Sequence, residues 1–134
     1  MGKRVVFVNG CFDVLHYGHL KLLEYAKGIG DYLVVAIDSD TKVRQSKGPT
    51  RPFNNSRVRQ FFLESLVFVD KVEVFDSEQS LEELVKNISP DIMIVGSDYK
   101  EKKVVGSTYA KELVFFERLD GYSTTGILQD IANR

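Results

Sequence analysis

Two histidines, His16 and His19, stand three residues apart where a run of apolar, strand-like residues gives way to a helical pattern. On the first turn of a helix that spacing puts both imidazoles on one face. Two imidazoles at a helix N-terminus form a compact donor site for phosphate oxygens and for the charge that develops on them during transfer. Gly10 ahead of them lets the backbone turn tightly, and Gly18 between them removes a side chain where a phosphate could approach. Cys11, Phe12 and Asp13 fill the intervening stretch. Blander readings stand beside this one. A histidine pair can bind a metal, but no third ligand of matching spacing is evident, and such a pair can also be plain surface. Asp13 could touch a substrate or, if buried, orient the loop. Cys11 has no neighbouring base in the sequence to activate it as a nucleophile. Further along, Lys42, Arg44, Lys47, Arg51 and Arg59 concentrate positive charge, and Ser123-Thr124-Thr125 opens the last helical pattern. Each cation could be solvated surface charge, and Ser123-Thr124 an ordinary helix cap.

Groups so placed need a frame. The chain has 134 residues, 43% apolar and 28% charged, with a formal net charge of −1. That length and balance suit one globular domain over residues 1–134 with a core of its own. Near-neutral charge excludes a strong global pull on nucleic acid or an anionic membrane, so phosphate chemistry must come from a local cluster of cations. The single cysteine, Cys11, cannot staple a fold, which fits a reducing compartment. No apolar run approaches the roughly 20 residues of a membrane span. Residues 1–4 lead directly into an apolar strand, without the features of a signal peptide. The cytoplasm is the expected location, with neither nucleic acid nor membrane as a partner.

Residues 3–8, 32–37, 71–75, 91–95 and 112–117 read as strands, and the near-continuous apolar character of the first two suits strands covered on both faces. Between them lie helical patterns. Leu20, Leu22, Leu23, Tyr25 and Ala26 form one, ending at residues 28–30, a cap and turn rather than a dinucleotide fingerprint. Residues 58–68 form another, with Phe61, Phe62, Ser65 and Leu66 expected inward. Residues 80–87 make a short helix with an acidic start, and 124–132 a final one capped by Ser123 or Thr124. The alternation specifies an α/β fold: a Rossmann-like, doubly wound, parallel five-stranded sheet with helices on both faces. Ligands of such sheets bind beyond the C-terminal strand ends. That rule selects four loops, 9–19, 38–55, 96–103 and 118–125, the second of them read as one long functional loop.

Gly10-Cys11-Phe12-Asp13 followed by His16-Tyr17-Gly18-His19 resembles the GxFDxxHxGH motif of the cytidylyltransferase-like nucleotidyltransferases. Gly121-Tyr122-Ser123-Thr124-Thr125 resembles the family's second signature, which opens its last helix. Both stand in family order and spacing, and the resemblance covers essentially the whole chain. It implies transfer without a covalent intermediate: an acceptor phosphate attacks the α-phosphorus of a nucleoside triphosphate in line, and pyrophosphate leaves. It implies that His16 and His19 hold the nucleotide phosphates and stabilise the transition state. Lys47 would bridge the phosphates of both substrates, Arg59 would reach the triphosphate, and Ser123 and Thr124 would bind phosphate oxygens. Gly10, Cys11, Phe12, Gly18, Gly96, Asp98, Arg118 and Thr125 complete the implied nucleotide-binding set, with Asp13 and Lys47 toward the acceptor. Magnesium is expected to ride with the triphosphate rather than in a cage of protein ligands. A homodimer is also implied.

Two subfamilies compete for the substrates. Lys47-Gly48-Pro49-Thr50-Arg51-Pro52 resembles the KGPxRP stretch of the nucleotidyltransferase domain of ADP-heptose synthase, Gly96-Ser97-Asp98-Tyr99-Lys100 its GGDYK, and Val104-Val105-Gly106 its VVG. This implies ATP and a sugar 1-phosphate, the favoured expectation. The alternative is glycerol-3-phosphate cytidylyltransferase, which joins CTP to a polyol phosphate. Arg118 stands where its RTEGIST pattern begins with arginine. Its RYVDEV-like stretch is here Val67-Phe68-Val69-Asp70-Lys71-Val72, without the arginine, and Arg57 replaces an acidic residue common to both groups. The heptose kinase module often fused to this domain is not in this sequence, so a partner kinase is expected to supply the sugar phosphate. A catalytically silent nucleotide sensor and a partner-binding module are the other functional classes open to the fold. The intact histidine pair, Lys47 and Ser123-Thr124 weigh against the sensor.

Overall fold

The computed structural model describes residues 2–117, 119 and 121–134. Strands β1 (Val5–Gly10), β2 (Tyr32–Asp38), β3 (Lys71–Phe75), β4 (Ile92–Gly96) and β5 (Glu112–Phe116) pair in parallel in the order β3-β2-β1-β4-β5. Helices α1 (Tyr17–Gly28), α2 (Asp40–Lys47), α3 (Ser56–Glu64), α4 (Glu78–Ile88) and α5 (Thr124–Ala132) complete the regular structure, with short 3-10 turns at Ser97–Tyr99 and Ser107–Tyr109. The chain winds from β1 to one edge, then returns to β4 and winds to the other, so the switch point lies between β1 and β4.

Neighbouring residues of a strand point to opposite faces, and both faces here are covered. Val6, Val8, Leu33, Val35, Ile37, Ile92 and Ile94 meet Leu23 and Ala26 of α1 and Leu63 of α3. Phe7, Val34, Ala36 and Met93 meet Leu81 and Val85 of α4 on the other side. Unbroken apolar runs are what a sheet buried on both faces requires. The expected fold, Rossmann-like with helices on both faces, is the one observed.

Two expectations fail between residues 38 and 68. The first half of the long loop is the helix α2. Ser39, itself buried, caps it by accepting from the Lys42 amide at 3.2 Å, and Asp40 sits in the first turn, where the helix dipole favours an acid. The sequence hides this helix because Val43 is its one buried residue, which leaves no apolar stripe to read. The second failure is in α3, which ends at Glu64 and turns a different face inward. Arg59 and Leu63, four residues apart, are buried, whereas Phe61 and Phe62 are 69% and 50% exposed. Ser65 is also exposed, while Leu66 packs partly buried against the core. An arginine holds the inward position because each of the three nitrogens of its guanidinium finds a partner there, a circumstance that hydropathy does not encode.

Candidate active site

A cleft of about 370 Å³ opens beyond the C-terminal ends of the strands, where β1 and β4 diverge. Gly10, Cys11, Phe12, Asp13, His16, Gly18 and His19 line it from the end of β1, the first loop and α1, Lys47 from the end of α2, Gly96 from the end of β4, Asp98 from the turn that follows, and Ser123, Thr124 and Thr125 from the start of α5. The structure therefore brings nearly all the expected site residues together. Arg59 lies behind the cleft rather than in it, and Arg118 lies outside the described residues.

The histidine wall is built on strained backbone. Phe12 and Val14 both have φ of 50°. Left-handed backbone is unfavourable for residues with a Cβ, above all a branched one, at about 1–3 kcal/mol each. Several bonds hold the loop in place. The fully buried Asp13 carboxylate accepts from the Phe53 amide at 2.6 Å and the Asn54 amide at 2.9 Å. Thr124 Oγ1 donates to the Asp13 carbonyl, and Arg59 Nη1 to the Cys11 carbonyl at 2.9 Å. Asp13 thus orients the loop, with both carboxylate oxygens engaged by backbone.

The loop delivers His16 as the N-cap of α1. His16 Nδ1 accepts from the His19 amide at 3.4 Å, and His19 Nδ1 accepts from the His16 amide at 3.2 Å, a reciprocal capping box built from two imidazoles. The rings stack with centroids 3.7 Å apart. A neutral imidazole that accepts at Nδ1 carries its proton on Nε2. Gly18 serves this stack. A Cβ there would lie 3.0 Å from His16 Cε1 and 3.4 Å from Tyr122 Cβ, so its bareness makes room for the His16 ring.

The facing groups come from α2 and α5. Lys47 occupies the exposed last turn of α2. Ser123 N-caps α5, its hydroxyl accepting from the Gly126 amide at 3.0 Å, which settles the choice of cap. Thr125 Oγ1 accepts from Arg51 Nη1 at 3.2 Å, and Arg51 Nε lies 3.8 Å from the Asp13 carboxylate. Arg51, one of the cations singled out in the sequence, therefore ties the segment after α2 to both walls. Sequence reasoning also missed the apolar part of the cleft lining, Leu22, Phe116, Leu119 and Tyr122. Tyr122 lies 5.4 Å from Tyr17 and 6.4 Å from His16, ring centre to ring centre. Position beyond a strand end was the signal that could have found Leu119 and Tyr122, whereas Leu22 lies on α1 and Phe116 closes β5.

Burial pushes the Cys11 thiol pKa up, opposed by the Arg59 and Lys47 charges and assisted by Asp13 and Asp38. The thiol stays protonated at neutral pH, which leaves it a poor nucleophile. Among the described residues no group of three or more His, Cys, Asp or Glu side chains could hold a metal ion. No described helix is long and apolar enough to cross a membrane.

A parallel α/β sheet whose switch-point cleft is lined by a histidine-capped helix, a lysine and a hydroxyl-bearing helix start defines a domain of the nucleotidyltransferase class. The chain belongs to the cytidylyltransferase-like family, whose model matches residues 7–129. It is 48% identical over 130 residues to the bifunctional protein HldE of Campylobacter fetus subsp. fetus, covering 97% of this chain and 28% of that one. It thus spans little more than a quarter of that relative's length. Among solved structures it is similar to a lipopolysaccharide core biosynthesis protein from Thermoplasma volcanium GSS1, at 26% identity and a TM-score of 0.69 over 91% of this chain and all of that one. Pantoate-beta-alanine ligase from Francisella tularensis shares the fold at 17% identity, with a TM-score of 0.62 over 98% of this chain and 69% of that one.

Proposed function

We propose that this domain transfers adenylate from magnesium-bound ATP to a sugar 1-phosphate, with heptose 1-phosphate the first candidate, and releases pyrophosphate. One observation carries the reading: the stacked His16–His19 pair caps α1 beside a cleft that Lys47 and the start of α5 also line. An acceptor phosphate oxygen forms a bond to the α-phosphorus. The bond from that phosphorus to the α,β-bridging oxygen breaks, and its electron pair leaves with pyrophosphate. The protein supplies no nucleophile and nothing is oxidised or reduced. The imidazole Nε2–H groups donate to phosphate oxygens as charge builds on the leaving group. Lys47 lowers the repulsion between the phosphates of the two substrates, which opposes their approach. The first amides of α5 and its dipole add a further anion site. The apolar side chains in the cleft lining suit a base. Magnesium belongs to the substrate: Asp13 is engaged by backbone amides, and the donor set matches an ion that arrives on phosphate oxygens.

The choice of ATP and a heptose phosphate rests on the Lys47–Pro52 and Gly96–Lys100 segments, on the HldE relatives, and on the Thermoplasma protein of lipopolysaccharide core biosynthesis. Pyrophosphate release is the test, with ATP and CTP in parallel, each against heptose 1-phosphate and glycerol 3-phosphate. Turnover is expected with ATP and the sugar phosphate. Turnover with only CTP and glycerol 3-phosphate would overturn the substrate assignment. No turnover with any pair, accompanied by a rise in Tm on adding nucleotide, would leave a binding module instead of an enzyme.

A further inference from the structure

We infer that Asp40, through its ion pair with Arg59, is a positioning residue for Lys47, fixing the helix that carries the lysine to the loop that carries the histidines. This rests on the nucleotidyl-transfer reading of the cleft. Arg59 is 1% exposed. Its Nε donates to the Asn54 carbonyl at 2.9 Å, its Nη1 to the Cys11 carbonyl at 2.9 Å and its Nη2 to Asp40 Oδ1 at 2.8 Å. Each acceptor belongs to a different segment. Cys11 opens the histidine loop, Asn54 precedes the cap of α3, and Asp40 opens the helix at whose far end Lys47 stands. Arg59 thus does not reach into the cleft, and Asp40 answers its charge.

The architecture of α2 makes that grip matter. Asp40 and Lys47 lie about 10 Å apart along the helix axis. Over that length only Val43 is buried, and residues 44–47 are exposed. The direction of α2 therefore depends on what holds its first turn: the Ser39 cap, the Lys42–Asp38 pair at 3.3 Å, and the Arg59–Asp40 pair. Of these, only the Arg59–Asp40 pair reaches the histidine loop. A guanidinium offers its donors in a rigid planar fork, so it fixes angle as well as distance. A tilt of about 10° at the first turn moves the far end of α2 by nearly 2 Å. A misplacement of about 1 Å at a reacting group can cost on the order of 10²-fold in rate.

The test is a mutant cycle. Asp40→Asn keeps the size and an acceptor oxygen but removes the charge, and it is measured alone and in a Lys47→Ala background. Asp40→Asn is expected to lower kcat about 10-fold with nucleotide Kd unchanged, to cost nothing further once Lys47 is gone, and to be partly rescued by Asp40→Glu. If Asp40→Asn does not fold, Asp40→Ser, which also removes the charge, carries the same cycle. An equal loss in both backgrounds overturns the inference. So does a rise in nucleotide Kd that matches the fall in kcat/KM, because Asp40 would then act on the nucleotide pocket itself. Hydrogen exchange separates this inference from the reading beneath it, since it needs no turnover. Faster amide exchange in α2 with α1 unchanged supports the grip, and unchanged exchange in α2 refutes it even in a protein that proves inactive.

Discussion

α1 and α5 both begin at the cleft, and both present unpaired amides and a capping side chain to it. They are held by different forces. α1 sinks Leu23 and Ala26 completely into the core. α5 buries no residue, and Ile131 on it is 62% exposed. Polar bonds near its start secure it: Thr124 Oγ1 to the Asp13 carbonyl, and Arg51 to Thr125. The helix behind the histidine wall is therefore rooted by packing, whereas the wall of Ser123, Thr124 and Thr125 hangs on a few hydrogen bonds, to the histidine loop and to Arg51. A phosphate bound between them would contact both and add to the hold on α5.

The sharpest way to break this comparison is at the histidine wall. Alanine at both His16 and His19 is expected to lower kcat by about 10³-fold or more, since one preorganised donor at such a site is worth roughly 10²–10³. Far-UV circular dichroism should show the sheet retained, and turnover near wild type would remove the wall from the chemistry. Next in size is stability. Leu23→Ala in α1 should destabilise the protein by about 2–5 kcal/mol in urea denaturation, and Leu128→Ala in α5 by well under half of that. Equal costs would show that α5 is as deeply rooted as α1. The smallest effect is expected at Thr124→Val, which removes one hydrogen bond between the walls, worth about 1 kcal/mol. Nucleotide Kd should rise about 5-fold with little change in melting temperature, whereas a large fall in melting temperature with unchanged Kd would reverse the assignment of that bond.

The sheet was legible because a doubly covered parallel strand has one simple requirement, continuous apolar character, and Val5 to Val8 and Leu33 to Ile37 meet it. The histidine pair was legible because its spacing matches one helical turn and it follows such a strand. α2 was not legible, since a surface helix held at one end needs little apolar surface, and its hold lies in Asp40 and Ser39. The inward phase of α3 was misread for a related reason: Phe61 and Phe62 look like core residues and Arg59 does not. Burying Arg59 depends on two carbonyls and a carboxylate brought together by three separate segments. Long-range polar complementarity of that kind leaves no periodic trace along a chain. The same holds for Asp13, whose partners Phe53 and Asn54 lie 40 and 41 residues away.

His16 has two places in the structure at once. It faces the cleft, and it also closes the first turn of α1, where a residue unable to cap costs about 1 kcal/mol. A lineage drifting away from catalysis would still need a capping side chain there, and Ser, Thr, Asn and Asp are the replacements that would keep the helix closed. Lys47 stands on an exposed turn and has no such second employment. In descendants freed from the chemistry, the record of that freedom would be written first at position 47, while position 16 stayed restricted to side chains that can cap.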